Sequence, residues 1–151
     1  MNVTSKKIMS RLCEIIHKEW AGECGAKVSI ADDPGHAVDL LTAGQSGGCA
    51  VVIFYMSDTQ AVSGIPGNTV LDANIRVGIV QKTGLEVRAG NRASPVLDKV
   101  DGLRKFLAGH SDMEGLLDPL EYTGMTPIQV SEGRALNGYA LNYRARYAFD
   151  V

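Results

Sequence analysis

The stretch GYALNYRARYAFDV, residues 138–151, alternates between large apolar side chains and smaller or charged ones. Successive side chains of a β-strand point to opposite faces, so the alternation predicts a strand with one face on a core and the other in solvent or at an interface. The predicted core face holds Tyr139, Leu141, Tyr143, Ala145, Tyr147, Phe149 and Val151. The opposite face holds Ala140, Asn142, Arg144, Arg146, Ala148 and Asp150.

Two segments upstream of this strand have the apolar spacing of helices. Residues 5–20 predict a helix with one face on a sheet, and Thr4 or Ser5 is the candidate N-cap. Residues 94–108 predict a second helix, because Ser94 can cap it, Pro95 suits its first turn and Gly109 can end it.

The other predicted elements are strands and the connections between them. Strand patterns occupy residues 27–31, 49–55, 71–81 and 121–131. Pro127 makes the last of these an edge strand or one that carries a bulge. Ser57 to Asn68 contains two glycines and a proline and predicts a long exposed loop, whereas residues 36–43 are compatible with a short helix or an edge strand. The order of elements predicts a single α+β domain over residues 1–151, with a mostly antiparallel sheet of four to five strands and two helices packed on one face.

Composition excludes several classes of protein. The chain has 151 residues, of which 45% are apolar, and its net charge of −2 is unlike the basic excess of a dedicated nucleic-acid binder. Three cysteines cannot all pair within one chain, which favours free thiols in a reducing compartment. The longest apolar run, residues 50–56, is far shorter than the ~20 residues of a membrane span. We therefore expect a soluble intracellular protein that does not insert into a membrane.

The nearly neutral total charge hides opposite charges along the chain. Residues 76–105 carry seven Lys or Arg against three Asp or Glu, and residues 106–132 carry five Asp or Glu and no Lys or Arg. Blocks of opposite charge suit head-to-tail contacts between identical subunits, and they equally suit contacts within one folded subunit.

The candidate catalytic motifs lack the context that their chemistry needs. Residues 44–48 match G-x-S-x-G, but here a loop leads into a strand, the reverse of a hydrolase elbow. Cys13 and His17 are spaced to meet on one helix face, although a small core-edge cysteine beside a surface histidine explains them more simply. Cys24, His36 and Cys49 have the residue types of a zinc site without its short paired spacing. We expect no catalytic residues, no metal and no cofactor.

Arginines are the remaining candidates for a functional surface. Arg144 and Arg146 share the polar face of the last predicted strand, Arg134 lies upstream of it, and Arg76 lies on another predicted strand. They could face an anionic partner, either DNA phosphate or carboxylates of a neighbouring subunit. A solvated sheet face explains them equally well.

The order of elements resembles that of the tail terminator, or tail completion, proteins of long-tailed bacteriophages and prophages. The resemblance spans nearly the whole chain and rests on architecture. It is carried by the helix at 6–20, the buried strand at 50–55 with the glycine-containing stretch after it, the strand at 73–80, the helix at 94–108 and the ending LNGYALNYRARY, residues 136–147.

This resemblance implies a non-enzymatic virion protein. Members of the family assemble as a ring, typically a hexamer, on the end of the tail tube, where they stop its polymerisation and form the surface that joins the head. The implied partners are copies of the chain itself, tail-tube and head-completion proteins, and DNA that passes through the channel without specific recognition. The implied location is the host cytoplasm during assembly and then the virion tail. Arg76, Arg144 or Arg146 would line the channel.

The sequence is also compatible with two other classes of function. The first is a small-ligand-binding or regulatory α+β domain, in which residues 57–68 would close over a pocket. The second is an enzyme that uses Cys24, Cys49 or His36.

Overall fold

A computed structural model describes residues 4–21, 27–31, 49–65, 68–82, 94–113, 115–128 and 136–150. Helix α1, Ser5–Ile15, continues into a π-helical segment, Ile16–Ala21. Helix α2 is Ser94–Gly109. The strands are β1 Lys27–Ala31, β2 Cys49–Ile65, β3 Asn68–Lys82, β4 Glu121–Pro127 and β5 Leu136–Asp150.

The five strands form one sheet in the order β1-β2-β3-β5-β4. Strand β1 is parallel to β2, and every other neighbouring pair is antiparallel. At the centre of the sheet, Val77 of β3 lies opposite Ile53 of β2 and Leu141 of β5. The α+β class and the mostly antiparallel sheet are therefore confirmed.

Both helices pack on the same face of the sheet. Helix α1 contacts β1 and β2, and α2 contacts β3 and β5. Leu12 of α1 and Leu103 of α2 have no exposed surface and belong to one core with the sheet residues. The sheet contributes alternate positions to this core, among them Val51, Ile53, Ile75, Val77, Ile79, Leu141, Tyr143 and Tyr147. The odd-numbered side chains of residues 139–147 thus face the core, as the alternation predicted.

The N-terminus of α1 confirms the predicted cap. The Thr4 hydroxyl accepts a hydrogen bond from the backbone N–H of Lys7 at 3.3 Å, which satisfies one of the free amides of the first turn. Near the other end, Ile16 and Trp20 belong to the π-helical segment and are still buried in the core.

One predicted connection is wrong. Residues 57–65, expected in an exposed loop, continue strand β2 and pair with β3, which begins at Asn68. The register between these strands shifts between Tyr55 and Ser57, between Gln60 and Val62, and between Val62 and Ile65. A bulge inserts an extra residue and breaks the alternation of side chains, so the strand shows no clean two-residue period in the sequence.

Strand β4 fits the prediction made from its proline. It is an edge strand that ends at Pro127, and its register with β5 shifts between Tyr122 and Gly124. An edge strand can hold proline because one row of its backbone groups has no ladder partner. The residues 36–43, for which the sequence left two structures open, lie outside the described part of the chain.

Within the described residues, no helix has the length and apolarity needed to span a membrane.

Candidate functional site

The face of the sheet opposite the helices carries a row of polar side chains across its two central strands. Because Ala73 and Ile75 lie in the core, the alternate residues Asp72, Asn74 and Arg76 of β3 point to the other face. Strand β5 places Arg146, Asn142 and Arg144 on that same face. The register sets Asp72 opposite Arg146, Asn74 opposite Arg144, and Arg76 opposite Asn142. We call these six residues the polar ladder.

Arg146 is held by two carboxylates. Its Nε donates to Oδ1 of Asp72 at 2.8 Å and its Nη2 donates to Oδ2 of the same residue at 3.2 Å, so the pair is bidentate. Its Nη1 lies 3.4 Å from Oδ2 of Asp118. Hydrogen bonding to Arg146 lowers the pKa of Asp72, although Asp72 is a buried group, and the same bond raises the pKa of Arg146.

The other two arginines of the ladder also have partners. Arg144 forms an ion pair with Glu121, which lies directly opposite it on β4. Arg76 donates from Nε to Oδ1 of Asn142 at 3.1 Å. Each arginine of the ladder is therefore held by a side chain of a neighbouring strand. Arg146 is held in addition by Asp118, which lies in the segment before β4.

Asn74 extends the ladder to strand β2. Its side-chain Nδ2 donates to Oγ of Ser57 at 3.2 Å and lies 3.3 Å from Oγ1 of Thr59. Ser57 and Thr59 belong to the part of β2 that the sequence placed in a loop. The polar row consequently runs across four strands, from β2 through β3 and β5 to Glu121 on β4.

These contacts change the charge of the surface. Two of the three arginines, Arg144 and Arg146, meet the three carboxylates of Asp72, Asp118 and Glu121. The third, Arg76, meets the neutral amide of Asn142. The six charges sum to zero, so the described part of this face is not the basic patch that its arginines alone suggested. Arg134, the fourth candidate, lies outside the described residues.

Two carboxylates of the acidic block have partners in the ladder, although these partners lie outside the basic block 76–105. Asp118 and Glu121 belong to the acidic block 106–132, and they pair with Arg146 and Arg144 of the same subunit. For these four residues, the opposite charges meet within one subunit. The sequence missed the acidic partners because no local spacing connects residue 72 with residue 146, which only the strand order places side by side.

Beside the ladder, the same face of the sheet is apolar. Ala50, Val52 and Val80 are buried there with Ala31, and Phe54 and Ile128 pack against them. The register confirms the shared face, since Ala50 lies opposite Val80 and Val52 opposite Gly78. The face opposite the helices is thus divided into an apolar end and a polar end.

A cleft of about 600 Å³ lies on the helix side, between α2 and the start of β4. Its lining includes Arg104, Leu107, Leu120, Tyr122 and Tyr143. The Arg104 guanidinium lies 4.6 Å from the centre of the Tyr122 ring, a cation–π contact. Burial raises the pKa of Tyr143 to about 12, so its phenol stays protonated at neutral pH and cannot act there as a base. None of the described lining residues comes from 57–68, the segment expected to close over a pocket.

For the candidate catalytic residues that the structure describes, the surroundings do not increase the reactivity of the side chains. Cys13 is half-buried, and burial raises the pKa of its thiol, the opposite of what a nucleophile needs. His17 is exposed on the π-helical segment. Within the described ranges, no group of three or more His, Cys, Asp or Glu side chains could hold a metal ion. Cys24, His36 and residues 44–48 lie outside those ranges, and Cys49 is the first residue of β2.

No protein-family model matches this sequence, and no curated protein matches it. The fold is similar to that of a chain in the solved virion of a native gene transfer agent particle, with a TM-score of 0.58 at 15% sequence identity. The superposition covers 89% of this chain and 90% of the other. At this identity the likeness shows a shared fold.

Proposed function

We propose that this protein is a non-enzymatic structural component of a phage-like particle. The observation that carries the proposal is the shared fold with a chain of a gene transfer agent virion, a particle that is itself phage-like. The likeness covers about nine-tenths of both chains, so it extends far beyond a single motif.

Within that class, the proposed role is that of a tail terminator or head–tail connector component. The chain would assemble as a ring of six copies on the end of the tail tube, stop its polymerisation and offer a surface to the head. The order of elements supports this role through the family resemblance. The polar ladder supports it as well, because its ordered charged side chains provide a surface that can contact a neighbouring subunit or line a channel. Its location would be the host cytoplasm during assembly and the virion tail afterwards.

Tube growth in vitro tests the role directly. Tail-tube protein from the same phage or prophage is polymerised with and without this protein, and tube lengths are measured by electron microscopy. A terminator added at the start should shorten the tubes in proportion to its concentration and appear as a density at one tube end. Tubes of unchanged length, with no added density, would exclude the role.

The oligomeric state is a second and independent measurement. Light scattering after size exclusion, with native mass spectrometry, should find six copies either in the free protein or in the complex with tube ends. Particles purified from cells should contain the chain at a few copies each, and an absence of the chain from intact particles would contradict a virion role.

The cleft beside α2 favours a second candidate function, the binding of a small anionic ligand. Arg104 and Lys105 supply two positive charges to its described lining against one carboxylate, that of Asp101, which lies 3.9 Å from Arg104. The apolar side chains of Leu107 and Leu120 also line the cleft. A small-ligand-binding domain should show a rise in Tm with anionic aromatic compounds, and Arg104→Ala should abolish the rise. A rise that survives this substitution would place the ligand elsewhere.

A further inference from the structure

Two arginines of the polar ladder, Arg144 and Arg146, donate hydrogen bonds to carboxylates of the protein itself. Arg146 directs Nε, Nη1 and Nη2 to Asp72 and Asp118, and Arg144 directs Nη2 to Glu121. A phosphate group recognised by arginine needs those same donors, usually two at once. The acidic partners therefore compete with any phosphate that approaches this face.

Without the carboxylates, the arginines would be well placed for a polyanion. Arg144 and Arg146 stand two residues apart on one strand, which separates their Cα atoms by about 6.8 Å. Arg76 lies on the adjacent strand, about 4.8 Å away in the direction of the ladder hydrogen bonds. The Arg144 and Arg146 side chains are 40% and 37% exposed and Arg76 is half-buried, so each guanidinium could contact a backbone phosphate, and every such contact adds salt-dependent affinity.

We propose that Asp72, Asp118 and Glu121 suppress the binding of duplex DNA to the polar ladder, so that DNA can move past this face without being held. The inference rests on the proposed function, together with the passage of DNA through the ring that the family resemblance implies. It assigns a role to the acidic partners that goes beyond strand pairing. They keep Arg144 and Arg146 hydrogen-bonded while balancing the positive charge that would retain a phosphate backbone.

The two exposed carboxylates allow the test without disturbing the core. The side chains of Asp118 and Glu121 are 60% and 54% exposed, so Asp118→Asn with Glu121→Gln should fold like the wild type. Binding to a fluorescent duplex of arbitrary sequence is measured by anisotropy over a series of salt concentrations. The wild type should bind weakly. The double variant should bind about tenfold more tightly at 0.1 M salt, with a slope of log K against log salt that is more negative by about 2.

A matched variant controls for total charge. Glu14→Gln with Asp101→Asn also removes two carboxylates that neighbour basic side chains, but these lie on the helices, away from the ladder. This control should leave DNA affinity within about twofold of the wild type. An equal gain in both variants, no gain in the ladder variant, or tight binding by the wild type would each overturn the inference.

The tube-growth assay separates this inference from the proposed function. Wild-type protein that fails to shorten tubes would remove the terminator role, while a DNA gain confined to the ladder variant would still show that the carboxylates suppress binding. If the wild type shortens tubes and the ladder variant gains no DNA affinity, the role stands and the inference falls.

Discussion

At position 138, the absence of a side chain lets strand β5 lie close to β3. A Cβ there would lie 2.6 Å from Cγ2 of Val80 and 3.0 Å from the carbonyl oxygen of Ile79, and the second of these contacts is with backbone. Gly138→Ala should therefore lower the free energy of unfolding by about 1–3 kcal/mol, as overpacking does in other cores. Urea unfolding followed by circular dichroism measures the change.

Gly109 supplies the control for that substitution. Nothing lies within 4 Å of a Cβ built on it, at the end of α2. Gly109→Ala should change stability by about 0.5 kcal/mol or less. Equal effects at the two positions would show that close packing at 138 is not what requires glycine.

The carboxylate of Asp72 makes the free energy of unfolding depend on pH. Asp72→Asn removes the bidentate partner of Arg146 and should cost about 1–3 kcal/mol at neutral pH. Arg146 lowers the folded-state pKa of Asp72 from its ordinary value of 3.8, so the carboxylate stabilises the fold above that value. This contribution is lost as the pH falls through the lower folded-state pKa.

The difference in unfolding free energy between wild type and Asp72→Asn should thus be constant from about pH 5 to 7 and shrink below about pH 4. Urea titrations at several pH values measure it. Asp118→Asn is the control, because Asp118 is exposed and its loss should cost about 0.5 kcal/mol or less. A difference for Asp72→Asn that is unchanged at about pH 2 would contradict the ion pair.

At the scale of elements, α1 depends on a cap that the sequence already indicated. Thr4→Ala removes the hydroxyl that accepts from the Lys7 amide and should lower stability by about 0.5–2 kcal/mol. Ser10→Ala, an exposed change inside the same helix, should be nearly neutral. Thermal unfolding of both variants makes the comparison, and a loss no greater for Thr4→Ala than for Ser10→Ala would argue against the cap.

Strand β2 shows where local sequence stops determining an element. Its first half, 49–55, is an apolar β-branched run that reads as a strand in isolation. Its second half, 57–65, is polar and contains a glycine, and it is a strand because β3 lies alongside to accept and donate backbone hydrogen bonds. Strand structure here comes from the sheet, because isolated two-stranded hairpins are marginally stable at best and β3 also pairs with β5 along this stretch.

At the scale of the whole molecule, both helices and the sheet share one hydrophobic core. Trp20, from the segment after α1, is 6% exposed, and a Cβ on Gly102 of α2 would lie 3.8 Å from its indole nitrogen. The tryptophan therefore reports on the packing of the two helical segments against each other. The interpretation of residues 1–151 as a single domain can be tested through it.

Fluorescence of Trp20 and far-ultraviolet circular dichroism should follow the same unfolding curve in urea. One cooperative core gives coincident transitions by both probes. Leu103→Ala, in the same core, should shift both curves together and cost about 2–5 kcal/mol, because Leu103 has no exposed surface. Two separated midpoints would show that the chain unfolds as more than one unit.

The sequence by itself determined the type of most described elements and which side chains face the core. Alternation over 139–147, helical spacing in α1 and the cap at Thr4 are local properties, since the backbone periods of 2 and 3.6 residues act on neighbours along the chain. Arg144 and Arg146 were placed on one face of a strand for the same reason, whereas Arg76 joins that face through the pairing of β3 with β5.

Only the tertiary structure decided what surrounds those arginines. Asp72 pairs with a residue 74 positions away, and Glu121 with one 23 positions away. Such pairs depend on strand order and register, which long-range backbone pairing and core packing set together. Three arginines that predict a basic surface in the sequence therefore lie, in the described fold, beside three carboxylates that balance their charge, and two of the three arginines form ion pairs.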